Sequence, residues 1–416
     1  MKKSLTILAL ATACAAVLGA SGCAAASVRL TVDSYWYIDS HEGIQPTSID
    51  PEDQTPRRTP ESLLYELTFD EESGANKSYR VDYFTDSENF AEGEDAHYLR
   101  TVFYATTFDW STDTNEEYRL TAEQAGQLDT DAPHLEGTVE TVYVLETEFK
   151  VSGMYVFGGK DTAANAENSV EFTDYMNTVT YFRSSRNFLE PVYSYKKVHT
   201  TTPLTLNPAS AETMCTQIEY EYEVFYNLDC TELTYNYKEF GENDSEANPL
   251  NGKVSGLHNS DAFFDNNQLY TAVRGMSLSE GFSANISLFV PENMGVMKVR
   301  ITGGAQGELN PETDKGIIDA LEAKYGTPAI PEKDEESTEE TEGEEVQHSY
   351  IYYNPVSIAS ADGRGVVRNV WYAAIPDEDN NTYRATMLYL SQPLSYGLGT
   401  WEFTLAEVES VLGDLA

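Results

Sequence analysis

Apolar side chains recur at every second position over much of the chain. Leu63, Tyr65, Leu67 and Phe69 share a face, as do Tyr79, Val81 and Tyr83. Val139, Thr141, Tyr143, Leu145 and Phe149 form a longer stripe, facing away from Glu140, Glu146 and Glu148. Ile218, Tyr220, Tyr222, Val224 and Tyr226 interleave with Glu219, Glu221, Glu223 and Phe225. Leu233, Tyr235 and Tyr237 continue that pattern, and Val299 and Ile301 belong to a later segment. A period of two predicts half-buried strands. Polar residues on the alternate positions predict antiparallel sheets with one wet face. The counts of 28 Tyr and 17 Phe strengthen this, because aromatic side chains favour strands. Helical spacing is confined mainly to Pro311–Tyr325 and Leu405–Leu412. The expected fold is mainly β: large twisted or curved antiparallel sheets, half-barrel or sandwich-like, with one or two short helices.

Three stretches break the alternation. Pro46–Pro60 holds four prolines and reads as a loop. Leu120–Pro133 is small and polar. Thr327–Gln347 carries a Glu run with almost nothing apolar to bury and is expected to be disordered. The strands after it, from Tyr350 to Leu405, number about four, a set marginal by itself. They are expected to complete a sheet begun before the linker. The expected divisions are a leader at 1–22, a tether at 23–27, one β domain at 28–203 and a second at 204–416 with the acidic insert at about 327–347. Leu99–Ala105 (LRTVFYA) echoes Val367–Ala373 (VRNVWYA), each followed by an Asp/Asn-rich stretch and a Tyr-Arg pair, Tyr118-Arg119 and Tyr383-Arg384. Duplication of a β unit and convergence of two Tyr-rich hairpins explain this echo equally well.

The chain opens on Met1-Lys2-Lys3 and an apolar run from Leu5 to Leu18. That run is shorter than the about 20 residues a membrane-spanning helix needs. A positive start, a short apolar core and small residues beyond it read as a secretory signal peptide. Ala20-Ser21-Gly22-Cys23 resembles the bacterial lipobox, with Ala20 where Leu is usual. The resemblance implies diacylglycerol on the Cys23 sulfur, cleavage before that residue and further acylation such as palmitate. The alternative is ordinary cleavage after Ala24-Ala25-Ala26. Each buried CH₂ contributes about 0.8 kcal/mol, so two or more chains anchor stably. The expected location is the extracytoplasmic face of a cell membrane, gripped through Cys23 alone.

The formal charge is −43, and loss of Lys2 and Lys3 with the leader takes it to −45. Such a charge disfavours nucleic acid, whose phosphates need Lys and Arg. It also holds the body off anionic headgroups; solubility is the plain explanation of it. Of four Cys, Cys14 leaves with the leader and Cys23 is the lipid acceptor, so Cys215 and Cys230 remain. Export favours a disulfide between them. However, a continuous strand rising about 3.3 Å per residue would separate them by tens of ångströms, against the roughly 7 Å a disulfide tolerates. Two separate thiols are expected.

No catalytic signature emerges. The six His show no metal-ligand spacing. No Gly-x-Ser-x-Gly elbow is present. Two acidic turns offer weak Ca²⁺ candidates, Asp109 with Asp113 and Asp377 with Asp379, but neither has EF-hand spacing and both read more simply as solvated turns. Among the four Trp, Trp371 and Trp401 lie in alternating segments and are expected in the core. Trp36 and Trp110 are the surface candidates for a stacking platform. No cofactor is expected.

From about Phe172 to Leu405 the order of features resembles an uncharacterised family of bacterial envelope proteins, similar to curved-sheet lipoprotein carriers. The matching parts are Tyr181-Phe182-Arg183-Ser184 leading to Leu189-Glu190-Pro191, then Asp265 with Leu269-Tyr270 and Arg274, then Trp371-Tyr372 and Gly397-Leu398-Gly399-Thr400. The resemblance implies a strongly bent antiparallel sheet, open or half closed, without assigned catalytic residues. The expected function is non-enzymatic: an anchored lipoprotein with a binding or structural role, presenting a concave face to an apolar molecule or an envelope partner. The alternatives are a surface hydrolase of polysaccharide or peptidoglycan, which needs two carboxylates converging about 5–9 Å apart, and an adhesin or spacer.

Overall fold

A computed structural model describes residues 61–69, 78–85, 89–109, 139–184, 189–205, 207–226, 230–240, 250–257, 262–274, 276, 278–326, 351–362, 366–377, 382–394 and 398–409. Among these residues the fold is mainly β, one large curved sheet with two short helices. In chain order the strands are β1 (Glu61–Phe69), β2 (Tyr79–Tyr83), β3 (Tyr98–Asp109), β4 (Val139–Phe157), β5 (Ser169–Ser184), β6 (Leu189–Pro203), β7 (Cys215–Tyr226), β8 (Glu232–Phe240) and β9 (Leu250–Ser255). Then come β10 (Ala262–Asp265), helix α1 (Leu269–Arg274), β11 (Ser283–Val290), β12 (Gly295–Gly303), β13 (Gly307–Glu308) and helix α2 (Lys315–Tyr325). β14 (Tyr352–Ser360), β15 (Arg368–Asp377), β16 (Thr382–Pro393) and β17 (Thr400–Glu409) finish the sheet.

The pairings run β10-β11-β12-β14-β15-β16-β17-β1-β3-β4-β5-β6-β7-β8-β9, with β2 alongside the end of β4 and β13 alongside β14. Only β10 with β11 is parallel among these pairs. The last four strands do return to the earlier sheet: β14 pairs with β12, and β17 inserts beside β1. The boundary expected at 203 and 204 falls between β6 and β7, which are hydrogen-bonded neighbours. β3 returns through β4, which begins at Val139 opposite Asp109. The Tyr118-Arg119 half of the echo lies outside the described residues.

The sheet curls until one end overlaps the other. Phe263 of β10 and Phe289 of β11 pack with Tyr222, Val224, Tyr226, Leu233 and Tyr235 of β7 and β8. Tyr226 donates to Asp265 (2.6 Å), and Asn267 donates to Ser194 (2.9 Å). The ends are thus joined by side chains, not by a strand ladder. A larger cluster fills the concavity, from Leu63, Tyr65 and Leu67 round to Tyr372, Leu390, Phe403 and Leu405. A second row, Tyr104, Val144, Tyr181, Tyr193 and Phe225, is buried on the opposite face.

The helix expected at Pro311–Tyr325 exists as α2, which buries Ile317, Ala320 and Leu321. The helical reading of Leu405–Leu412 is corrected: β17 continues through Glu409. A bulge shifts the register so that Leu405 pairs with Tyr65 and Val408 with Leu63. Two strand residues three apart therefore share a face, which mimics helical spacing. Cys215, the first residue of β7, and Cys230, beyond its far end, are not joined by a disulfide. The Cys230 thiol donates to the Pro191 carbonyl at 3.2 Å.

Candidate functional site

Strand register builds the site. Successive side chains of a strand alternate faces, so one inward residue from each strand lines up across the sheet. Three such rows run over β1, β3, β4, β5, β6 and β7. The first is Glu61, Phe103, Leu145, Thr180, Ser194 and Val224. The second is Leu63, Thr101, Thr147, Thr178, Lys196 and Tyr222. The third is Tyr65, Leu99, Phe149, Met176, Val198 and Tyr220. The second row thus holds three adjacent threonines followed by Lys196, and the third, beside it, is apolar but for its two terminal tyrosines.

Over these rows lies a cavity of about 340 Å³. Its apolar wall includes Leu99, Phe149, Met176, Leu390, Trp401 and Phe403. Its polar wall includes Thr101, Thr147, Thr178, Asp174, Lys196 and Arg274. Helix α1 supplies the facing wall through Leu269, Tyr270, Thr271 and Arg274. Asp265 caps the turn before that helix: its carboxylate accepts from the Asn267 N–H at 2.8 Å, while Gln268 accepts from the Asp265 N–H at 3.1 Å. Tyr372 donates to the Tyr270 carbonyl at 2.6 Å and fixes the same helix to β15.

Each buried charge has a counter-charge or donors. Arg274 donates to both Glu61 oxygens, at 2.5 and 3.0 Å, with both side chains 5% exposed. Lys196 pairs with Glu292, in the turn after β11, at 2.7 Å. Burial pushes the Glu292 carboxyl up; the Lys196 charge and hydrogen bond, with a bond from Tyr220, overcome that and hold it below its usual range. Asp174 accepts from the Thr201 N–H at 2.8 Å and the Thr200 hydroxyl at 3.2 Å. Burial outweighs these donors and pushes its carboxyl up to about 6. Burial, reinforced by Asp174, likewise pushes the Cys215 thiol up to about 11. The Asp265 carboxyl rises to about 6 for the same first reason, against the pull of Tyr226 and Asn267.

The candidates read from the sequence do not assemble here. Cys23, Trp36, Trp110, Asp113 and Asp379 lie outside the described residues. Asp109 and Asp377 end β3 and β15, opposite Val139 and Thr382. Among the described residues no group of three or more His, Cys, Asp or Glu could hold a metal ion. Asp174 is the one carboxylate among the described lining residues. Trp371 is partly buried and stacks between Tyr353 and Tyr389, centroids 4.3 and 4.4 Å away. Trp401, expected in the core, packs on Phe149 and also faces the cavity. Thr178, Lys196, Asp174 and the Arg274–Glu61 pair carried no signal as a site. Their one legible trace is the polar residue at inward positions of β5 and β6, Thr178 and Thr180, then Ser194 and Lys196.

No family model matches the chain, and no curated protein matches it. A solved structure described as a beta-barrel-like protein of domain of unknown function DUF1849, from Brucella abortus, aligns with TM-score 0.40 and 10% identity. The alignment covers 85% of this chain and 98% of that one.

Proposed function

We propose that this is an extracytoplasmic lipoprotein, held by acyl chains on Cys23, whose curved sheet binds an apolar molecule in the cavity under α1. The observation that carries the binding reading is the cavity itself: about 340 Å³ inside the concave face, walled by leucines, Met176 and aromatic rings. Ligand sites of roughly 300–1,000 Å³ are mostly apolar with a few fixed polar groups, and this one fits their small end. It suits a single chain or one small molecule rather than a two-chain lipid. The leader, the lipobox-like run and the negative body support the address.

Binding is tested with the neutral fluorophore N-phenyl-1-naphthylamine on the purified full chain. Saturable fluorescence enhancement is expected, and Met176→Trp, which fills the cavity, should abolish it at an unchanged Tm. Enhancement that is absent, or indifferent to Met176→Trp, would refute the reading.

A further inference from the structure

The polar wall of the cavity is unevenly satisfied. Lys196 is matched by Glu292, Arg274 by Glu61, and Asp174 by two donors. What remains is single unmade hydrogen bonds, not an unmatched charge. Thr178 lines the cavity and is 5% exposed, and its buried hydroxyl has no hydrogen-bond partner. The Arg274 Nε, on the facing wall, also lacks one. Buried polar atoms are nearly always hydrogen-bonded, and one left unmade burdens the fold. Thr178 stands mid-row between Thr147 and Lys196, beside the apolar row that holds Phe149 and Met176. A molecule lying along the apolar row brings an oxygen to Thr178 without leaving the hydrocarbon surface.

We infer that the ligand carries an uncharged hydrogen-bonding group, of the ester or carbonyl class, seated on the Thr178 hydroxyl, with its hydrocarbon part along Leu99, Phe149 and Met176. This deepens the binding reading above and rests on it. A carboxylate in that seat would add charge beside the balanced Lys196–Glu292 and Arg274–Glu61 pairs, in a chain of net charge −43. Arg368, partly exposed on β15, also lines the wall and would draw an anion instead. The test therefore includes one.

Decane, methyl decanoate and decanoate compete for N-phenyl-1-naphthylamine on the full chain at pH 8. Methyl decanoate should bind tighter than both. Thr178→Val should weaken methyl decanoate roughly three- to tenfold, the worth of one hydrogen bond, and leave decane unchanged. Thr178→Ser should retain the preference for the ester. The Tm of the empty Thr178→Val protein should hold or rise, since its hydroxyl has no partner to lose. Decanoate binding tightest, or Thr178→Val weakening ester and alkane alike, overturns the inference. A fluorophore that does not bind at all removes the cavity reading instead, so the two failures are distinguishable.

Discussion

Arg274 and Glu61 lie 213 residues apart and join the inner end of the curled sheet to its middle. Arg274 ends α1, which follows the edge strand β10; Glu61 opens β1, between β17 and β3. The fork contact is doubly bonded and both partners are 5% exposed. Removing one partner strips the other buried charge of this two-pronged contact, at a cost of about 3–5 kcal/mol, whereas replacing both with apolar residues of similar volume is often neutral. Arg274→Leu and Glu61→Leu should therefore each lower stability by about 3–5 kcal/mol, and the double variant should recover most of that loss. Urea unfolding gives the comparison, read as a shift in midpoint at constant slope. A coupling free energy of several kcal/mol is expected from the double-mutant cycle. Single variants costing under about 1 kcal/mol, or losses that simply add, would show that the pair behaves as an exposed one and does not clamp the sheet.

Three further outcomes follow from the geometry and the leader. Because burial raises Asp174 to about 6, the folded chain keeps a proton there that the unfolded chain releases, so the contribution of this group to stability falls by up to about 3 kcal/mol as pH rises from about 4 to 6. Asp174→Asn should remove that fall from the dependence of Tm on pH in this window and raise Tm at pH 8; an unaltered slope counts against it. Gly153→Ala should cost about 1–3 kcal/mol, because its Cβ would stand 2.7 Å from the Asp82 carbonyl and 2.8 Å from the Phe172 ring; a neutral thermal melt refutes this crowding. Cys23→Ala should move the protein from the membrane fraction to the medium, and unchanged fractionation excludes the lipid anchor.

The strands were legible wherever an apolar stripe faced a polar one. Leu63, Tyr65 and Leu67 are buried as their spacing implies, and so are Tyr143, Leu145, Phe149, Tyr222, Val224 and Tyr226. Helix α1 was not, for its six residues are too few to display a period. The signal that could have found it is the capping box, Asp265 with Gln268 three residues on. The site was hidden for a different reason. Threonine favours strands on either face, so Thr101, Thr147 and Thr178 say nothing about which side they occupy until the register aligns them. Lys196 and Lys197 are adjacent and chemically alike, yet only Lys196 turns inward, and its counter-charge, Glu292, is 96 residues away.

The same distant contacts that conceal the site also couple it to the closure of the sheet. α1 walls the cavity and carries Arg274, while the turn before it carries the Asp265 and Asn267 contacts to Tyr226 and Ser194. A ladder between the sheet ends would hold the concavity shut whatever lay inside it. Side-chain contacts between overlapping ends each contribute little net free energy in comparison with many strand bonds. Molecules that fill the cavity touch α1 and β3 to β6 together, so their binding adds directly to the free energy that keeps the ends overlapped. Occupancy by the proposed ligand would therefore stabilise the fold, because the residues that clamp the sheet are those that also shape its interior.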